Sequence, residues 1–342
     1  MADLLLEQYA EALDEFPLDG TSEDKLRAAV KYAVLAPSSH NAQPWLFRVA
    51  SGALELYADR SRGLAVVDPK DRELVMGCGA ALLNLEIGLR NFGNRPVVTL
   101  FPDVGNPDLL VRVSLDGQLE ATDEERALFR GIRLRRTHRL PFAVRPVSKA
   151  VLTALEIAAV HHGAWLKIIE GEEARLALAD VVAEGDRRQM ADRRFRRELA
   201  AWMHPNRSRS RDGIPGYALG FSDFMAAAGP LMVRTFDTGK GQAARDRELA
   251  LGSPVLAVLG TAGDGQRDWL AAGRALERVL LRAAVEGVAA SYLNQPIEVP
   301  ELRFDVQVLT GYMGYPQLVL RLGYDGEAKP TPRRPAEEVL LD

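Results

Sequence analysis

The stretch PSSHNAQPW (37–45) directly follows an apolar helical pattern that begins near Ser22, the predicted N-cap. Proline and two serines end such a helix and leave hydroxyls and unpaired backbone amides just beyond it. Asn41 and Gln43 add side-chain donors and acceptors, the rim that a flat heteroaromatic ring with carbonyls needs. A surface turn uses the same residue types. The density of donors and the buried-type Trp45 favour a ligand-binding loop.

On both sides of this loop the hydrophobic pattern alternates between helices and strands. The first two strands, 46–50 and 54–58, flank Ser51-Gly52 and therefore predict a hairpin. A linker is expected near 116–125. Further helices are predicted at 77–93, 148–160 and 269–288, and further strands at 97–101, 109–115, 166–170, 254–260 and 317–324.

The order of these segments occurs twice along the chain. Residues 16–34 align without a gap to residues 142–160, and the apolar helix at 77–93 aligns to the later helix with Gly79 opposite Gly273 and Gly93 opposite Gly287. Two matches in the same order, each followed by strands, favour a diverged duplication. We therefore predict an α+β chain built from two related halves, residues 1–125 and 126–342.

Each half has a motif that the other lacks. The second half has no counterpart of the 37–45 loop, but it opens with a basic cluster of Arg135, Arg136, Thr137 and Arg139. Guanidinium groups and a threonine hydroxyl suit a phosphate, although a solvated run of charge is the more frequent fate of such clusters. The pair Arg333 and Arg334, set among prolines, is a second possible phosphate clamp or else a mobile tail.

Composition excludes several classes of function. A net charge of −4 and a pI of about 5.9 argue against a general nucleic-acid binder. The chain has no run of 18 apolar residues, its acidic amphipathic N-terminus is unlike a signal peptide, and no histidine or cysteine spacing suggests a metal site. The single Cys78 reads as a buried apolar residue. We expect a cytoplasmic protein that binds neither membrane nor nucleic acid nor metal.

These motifs together resemble the nitroreductase family of flavin enzymes, and within it the twin-domain, Acg-type group. APSSHNAQPWLFRV (36–49) is similar to the family's flavin loop. RRTHRLPF (135–142) is similar to its Arg-x-Ser-x-Arg-x-Phe start, with Thr137 in place of serine and one extra residue before Phe142. The ending GYPQLVLRLGY (314–324) and PTPRRP (330–335) also fits. The resemblance covers most of the chain, from about residue 20 to 340.

The resemblance implies FMN as cofactor and NAD(P)H as reductant, with nitroaromatic or quinone-like small molecules as acceptors. In ordinary members two chains build each flavin site across their interface, so a duplicated chain would hold one composite site and be a monomer with pseudo-dimeric halves. No side chain is expected to act as catalytic acid, base or nucleophile. The implied cofactor-binding residues are Pro37, Ser38, Ser39, Asn41, Gln43, Arg135, Arg136, Thr137, Arg139, Asn294, Arg333 and Arg334.

Whether NAD(P)H can reach the flavin, and so whether the protein turns over, depends on the arginine-rich segment 184–230. It folds either as a lid over the flavin or as a solvated helical excursion. A tight lid would bar NAD(P)H and make the protein an FMN-sequestering or storage protein. An arginine-rich module that recognises acidic partners is a third hypothesis.

Overall fold

The computed structural model describes residues 15–324 and 328–342, so most of the N-terminal amphipathic pattern lies outside the described residues. The helices are α1 Ser22–Ala33, α2 Arg72–Asn91, α3 Asp123–Leu134, α4 Lys149–Val160, α5 Glu172–Ala191, α6 Arg193–Trp202, α7 Asp223–Thr235, α8 Gly239–Leu251, α9 Gln266–Val285, α10 Gln295–Glu298, α11 Pro300–Thr310 and α12 Ala336–Val339. The strands are β1 Trp45–Ala50, β2 Ala53–Ala58, β3 Asn94–Leu100, β4 Leu109–Gln118, β5 Ala164–Ile168, β6 Met203–His204, β7 Ile214–Pro215, β8 Val255–Thr261, β9 Ala289–Tyr292, β10 Tyr315–Gly323 and β11 Leu340–Leu341.

The predicted strands and main helices are present within a few residues of their expected ends, but two details of the prediction were wrong. Helix α1 is capped by Thr21 rather than Ser22, because the Thr21 side chain accepts from the Asp24 backbone while Asp24 accepts from the Thr21 backbone. The predicted linker 116–125 is occupied by the end of β4 and the start of α3. The boundary placed at residue 125 therefore falls inside the first turn of α3.

Two antiparallel sheets share the same strand order. The first runs β1-β2-β4-β3 and the second β5-β8-β10-β9, so that corresponding strands occupy corresponding places. In each sheet a long helix, α2 or α9, follows the second strand. The C-terminal strand β11 departs from this repeat: it crosses to the first sheet and pairs parallel to β1, with Phe47 opposite Leu340. The shared order agrees with the repeat read from the sequence.

Helices α2 and α9 pack against each other at the centre of the molecule, and two glycines permit their close approach. A Cβ atom on Gly273 would lie 1.9 Å from the carbonyl oxygen of Met76, and one on Gly79 would lie 2.3 Å from that of Leu270. Met76 lies three residues before Gly79, and Leu270 lies three residues before Gly273, so the two contacts are equivalent. The crossing is therefore close to two-fold symmetric, and it pairs the same two glycines that the sequence comparison aligned.

The two sheets differ in how they are covered. Strand β1 alternates between buried and exposed residues, whereas every residue of β8 is buried. This difference arises because helices α4 and α9 cover one face of the second sheet, and α5, α10 and α11 cover the other. The segment between β5 and β8 supplies α5 to α8, and we call residues 172–251 the excursion. Among the described helices, none is both long and apolar enough to cross a bilayer.

Candidate functional site

A cavity of about 350 Å³ lies where the first-half loop, the basic start of the second half, the excursion and the C-terminal segment meet. Its volume falls within the range of small-molecule sites. Eight of the twelve residues predicted to bind a cofactor line it. These are Pro37, Ser38, Ser39, Asn41, Thr137, Arg139, Asn294 and Arg333.

The first-half loop takes an unusual backbone path into the cavity. His40, Asn41 and Gln43 have φ values of 52°, 56° and 54°, in the left-handed region that non-glycine residues seldom adopt. The Ser38 hydroxyl oxygen accepts from the Gln43 backbone amide at 2.8 Å, and the Ser39 hydroxyl donates to Glu73 on α2. Such a fixed and strained path is typical of segments that hold a ligand.

The two loop amides, Asn41 and Gln43, hold the loop to the other parts of the site. Asn41 Nδ2 donates to the carbonyl oxygens of Gly213 and Pro332 at 3.0 and 3.1 Å. Gln43 is fully buried; its Nε2 donates to the Arg211 carbonyl at 2.8 Å, and its Oε1 accepts from the Arg334 backbone at 2.8 Å. Gln43 thus bonds to protein groups and is not among the residues that line the cavity, whereas Asn41 both holds the loop in place and lines the cavity.

The cationic cluster carries more positive charge than its protein partners neutralise. Burial and the neighbouring charges of Arg135 and Arg136 lower the pKa of Arg333 to about 9, and burial and Arg135 lower the pKa of Arg136 to about 10. Burial also lowers the pKa of Arg139. Among the described residues, Arg139 Nη1 and Arg333 Nε are buried without a hydrogen-bond partner. An anion in the cavity would supply the missing acceptor.

Three other predicted arginines, Arg135, Arg136 and Arg334, are not among the residues that line the cavity. Arg135 lies 3.7 Å from the buried Glu277, whose pKa burial nevertheless raises to about 7. Arg136 donates to the Arg135 carbonyl at 2.8 Å. Arg334 lies 3.9 Å from Asp59 and donates to the Gln43 carbonyl at 3.3 Å. These arginines set the local potential and fix the surrounding backbone.

Among the cavity residues missed as site candidates in the sequence, His40 and Tyr292 each have a buried polar atom without a hydrogen-bond partner among the described residues. Burial, with a smaller contribution from Arg139, lowers the pKa of His40 to about 4, and its Nε2 is buried without a partner among the described residues. Burial raises the pKa of Tyr292 to about 12, and its hydroxyl is also unpartnered there. His40 lies inside the quoted loop, so its position was the available signal. Tyr292 lies two residues before Asn294, in the segment expected near the site.

The excursion forms the opposite wall of the cavity. Its apolar side chains there include Phe195, Met203 and Ile214, and its polar ones include Asp186 and Asp246. Asn41 and Gln43 bond the first-half loop to the excursion, as described above. Arg62, also in the first half, forms an ion pair with Asp212 of the excursion. The Tyr217 hydroxyl of the excursion donates to the Pro330 carbonyl of the C-terminal segment at 2.8 Å.

No family model matches the chain. Among curated proteins, it is 32% identical over 324 residues to "Putative NAD(P)H nitroreductase Rv3131" of Mycobacterium tuberculosis (strain ATCC 25618 / H37Rv), covering 93% of this chain and 91% of that protein. It is 30% identical over 325 residues to "Putative NAD(P)H nitroreductase acg" of the same strain, covering 93% of this chain and 95% of that protein.

Among solved structures, the chain is similar to the FMN and NADPH-dependent nitroreductase NfnB from sphigopyxis sp. strain HMH, with a TM-score of 0.41 and 22% identity, over 63% of this chain and 97% of that one. The curated relatives match nearly the full length of the chain at 30% identity or more. The chain therefore belongs to the nitroreductase family, in the group that includes the Acg protein of Mycobacterium tuberculosis.

Proposed function

We propose that the protein is an FMN-dependent NAD(P)H oxidoreductase that reduces nitroaromatic or quinone-like acceptors at one composite site. The observation that carries this proposal is the cavity in which Ser38 and Ser39 of residues 1–125 meet Thr137, Arg139 and Arg333 of residues 126–342. Neither half alone contains both the hydroxyl-rich loop and the guanidinium groups. The proposal thus also assigns the two halves as the units of a duplicated fold.

The residues present fit FMN. Its phosphate would accept from the unpartnered Arg139 Nη1 and Arg333 Nε, with the Thr137 hydroxyl as a further donor. Its ring system would lie toward Ser38 and Ser39, whose positions are fixed by Gln43 and Glu73. When bound, FMN supplies the redox chemistry, accepting a hydride from NAD(P)H and passing electrons to an electron-poor acceptor.

The protein groups around this site have three tasks: to bind, to orient and to exclude water. The depressed pKa of His40 keeps its imidazole neutral at physiological pH, so that it offers a neutral polar edge to the cavity rather than a further cation. The excess of guanidinium charge would favour an anionic form of the reduced cofactor.

A second candidate function, FMN sequestration with little turnover, is favoured by one observation. The excursion lines one side of the cavity and is hydrogen-bonded to both the loop and the C-terminal segment, through Gly213 with Asn41 at 3.0 Å and Tyr217 with Pro330 at 2.8 Å. Under this second hypothesis, a hydride donor would reach the ring only when these contacts open.

Anaerobic reduction of the purified yellow protein separates the two functions. The oxidoreductase proposal predicts that NADH or NADPH bleaches the flavin band, and that adding menadione or a nitroaromatic compound restores it. The variant Tyr217→Phe, which removes the bond to Pro330, serves as the matched control for lid opening and should bleach at least as fast. Bleaching by dithionite alone, in both proteins, would contradict turnover and support sequestration.

A further inference from the structure

Glu277 lies on α9, the long central helix of residues 126–342, and its side chain is fully buried. Arg135 faces it, with 3.7 Å between Arg135 Nε and Glu277 Oε1. This separation is too long for a hydrogen bond, and among the described residues both Glu277 oxygens and Arg135 Nε are buried without a hydrogen-bond partner. A buried carboxylate without hydrogen bonds is costly, so the charge of Glu277 depends on the cations around it.

The groups around Glu277 belong to the proposed phosphate site. Arg139 Nη1, Arg333 Nε and the Tyr292 hydroxyl are also buried without a hydrogen-bond partner in the part of the chain that the structure describes. These three residues line the cavity, whereas Glu277 does not. The charge of Glu277 favours the cationic form of Arg333 and disfavours ionisation of Tyr292. Glu277 therefore acts on the cavity through its charge, without lining it.

The arginines of α9 on either side of Glu277 are paired with carboxylates of other helices. Arg274 donates to Glu86 on α2 at 2.9 Å, and Arg278 donates to Glu124 on α3 at 2.6 Å. These pairs neutralise the arginine charge of α9 and the carboxylate charge of the two helices packed against it. They leave Glu277 to the cationic cluster.

Burial disfavours the ionised form of Glu277, whereas three side chains favour it. These are Arg135, which follows α3, Asn84 on α2 and Arg333 of the C-terminal segment. Tyr292 on β9 faces the same cluster as a neutral phenol, because burial raises its pKa to about 12. Burial outweighs the three side chains and raises the pKa of Glu277 to about 7, so the carboxyl is about half ionised at neutral pH.

A phosphate held by Arg139 and Arg333 would change this balance. It carries nearly two negative charges at neutral pH and would use the cationic charge that the ionised Glu277 uses in the apo-protein. Like charges that share a buried site cannot both stay ionised without cost. A phosphate ester has its second pKa at about 6, below the pKa of Glu277, so Glu277 is the group that takes up a proton.

We propose that Glu277 is a positioning residue that acts through Arg135 and Arg333 as a replaceable counter-charge: it balances their guanidinium groups in the apo-protein and takes up one proton from solution when a phosphate enters the cavity. The inference rests on the proposed function and deepens it, because it makes phosphate recognition depend on a residue outside the cavity. Riboflavin, which has the ring and ribityl chain of FMN but no phosphate, binds without this proton.

The test compares the two flavins by quenching of their fluorescence on titration with apo-protein, which requires no turnover. Between about pH 7 and about pH 8.5, FMN affinity should fall by up to roughly 15-fold, the ratio of protonated fractions for a pKa of about 7. Arg333, with a pKa of about 9, adds less than about twofold in this range. Riboflavin affinity should stay nearly constant. An FMN affinity that does not change with pH, or the same pH dependence for both flavins, would overturn the proposal.

The variant Glu277→Gln separates the counter-charge from a purely structural role, because its amide keeps the shape of the side chain but does not titrate. Its FMN affinity should be nearly independent of pH, and at about pH 8.5 it should exceed that of the wild type by up to roughly 30-fold. The matched control is Glu286→Gln at the end of α9, where Glu286 accepts from Arg282 at 2.7 Å. The control should keep the wild-type profile. A pH dependence that survives in E277Q, or that is lost in both variants, would contradict the assignment.

Two measurements keep the proposal testable if E277Q does not fold or if FMN does not bind. Calorimetry of the wild type in two buffers that differ in ionisation enthalpy should show uptake of about 0.5 proton per FMN at about pH 7 and nearly one at about pH 8.5. Absence of this uptake would overturn the proposal. A protein that binds no FMN would refute the proposed function alone, because sulfate, which does not titrate in this range, should still raise the melting temperature more at about pH 7 than at about pH 8.5. An equal rise at the two pH values would refute the role of Glu277.

Discussion

Replacing Arg139 by methionine should change cofactor affinity and apo-protein stability in opposite directions. Arg139 Nη1 is buried without a partner among the described residues, and burial, together with the nearby Arg135, lowers the pKa of its guanidinium. Removing this cation should leave the stability of the apo-protein unchanged or raise it. With FMN bound as proposed, the same substitution would remove a charge-assisted hydrogen bond to its phosphate, and such a bond is worth about 1.5–3 kcal/mol. FMN should therefore bind roughly 10- to 150-fold more weakly.

The assay is quenching of FMN fluorescence on titration with apo-protein, together with the melting temperature of each apo-protein. Arg135→Met is the matched control, because Arg135 lies 3.7 Å from the buried Glu277 and its loss removes a neighbouring cation that favours the ionised form of that carboxyl. The control should lower the melting temperature of the apo-protein. The reasoning is refuted if R139M keeps FMN affinity within about twofold of the wild type, or if it destabilises the apo-protein as much as R135M does.

Two further predictions concern stability. Gly273→Ala should lower the free energy of unfolding in urea by about 1–3 kcal/mol or more, because its Cβ would lie 1.9 Å from the Met76 carbonyl oxygen. The control, Gly241→Ala, lies in open space on α8 and should be neutral or stabilising by up to about 1 kcal/mol. Equal effects of the two substitutions would contradict the tight helix crossing. Burial and Arg274 lower the pKa of His162 to about 3, so His162 contributes stability above its ordinary pKa of about 6.5 that is lost as pH falls, by up to about 1.4 kcal/mol per pH unit. His162→Gln should flatten the melting temperature between about pH 6.5 and about pH 4, and an unchanged slope would contradict this account.

The strand and helix pattern could be predicted because hydrophobic periodicity records which faces are buried. Strand β8, buried at every position, was predicted from its uninterrupted apolar run, and the hairpin of β1 and β2 from Ser51-Gly52. Helix α3 was missed, although Thr122 and Glu125 form a capping box that the sequence displays. Helices α5 and α8 of the excursion were not predicted because their apolar residues show little helical periodicity, whereas α6 was missed although it is strongly amphipathic.

Many of the residues that line the cavity could be predicted from motifs, but their individual hydrogen-bond partners could not. Ser38, Ser39, Thr137 and Arg139 do line the cavity, whereas Gln43 holds the backbone of its neighbours together. A sequence shows that a residue can donate or accept, but only packing shows which partners use those groups. For the same reason, the sequence did not show that Gln295 Nε2 donates to both Asp186 and Asp246, because these three residues come from three separate helices.

The packing of the two halves against each other could be predicted only in part from the sequence. The comparison of halves matched Gly79 with Gly273, and the structure brings these glycines together at the centre of the α2–α9 crossing. The crossing of β11 to the first sheet could not be foreseen, because a two-residue strand carries no periodic pattern. That crossing runs past the cavity and places Arg333 beside Asn41, at 2.9 Å from Nη1 to Oδ1.

The flavin content of the purified protein, measured together with its molecular mass in solution, tests the composite site most directly. One FMN per chain in a monomer of 37.5 kDa is the predicted result, because a single chain supplies both the serine loop and the guanidinium groups. A colourless protein that fails to take up added FMN would contradict the account, and so would a dimer that binds FMN only after two chains associate.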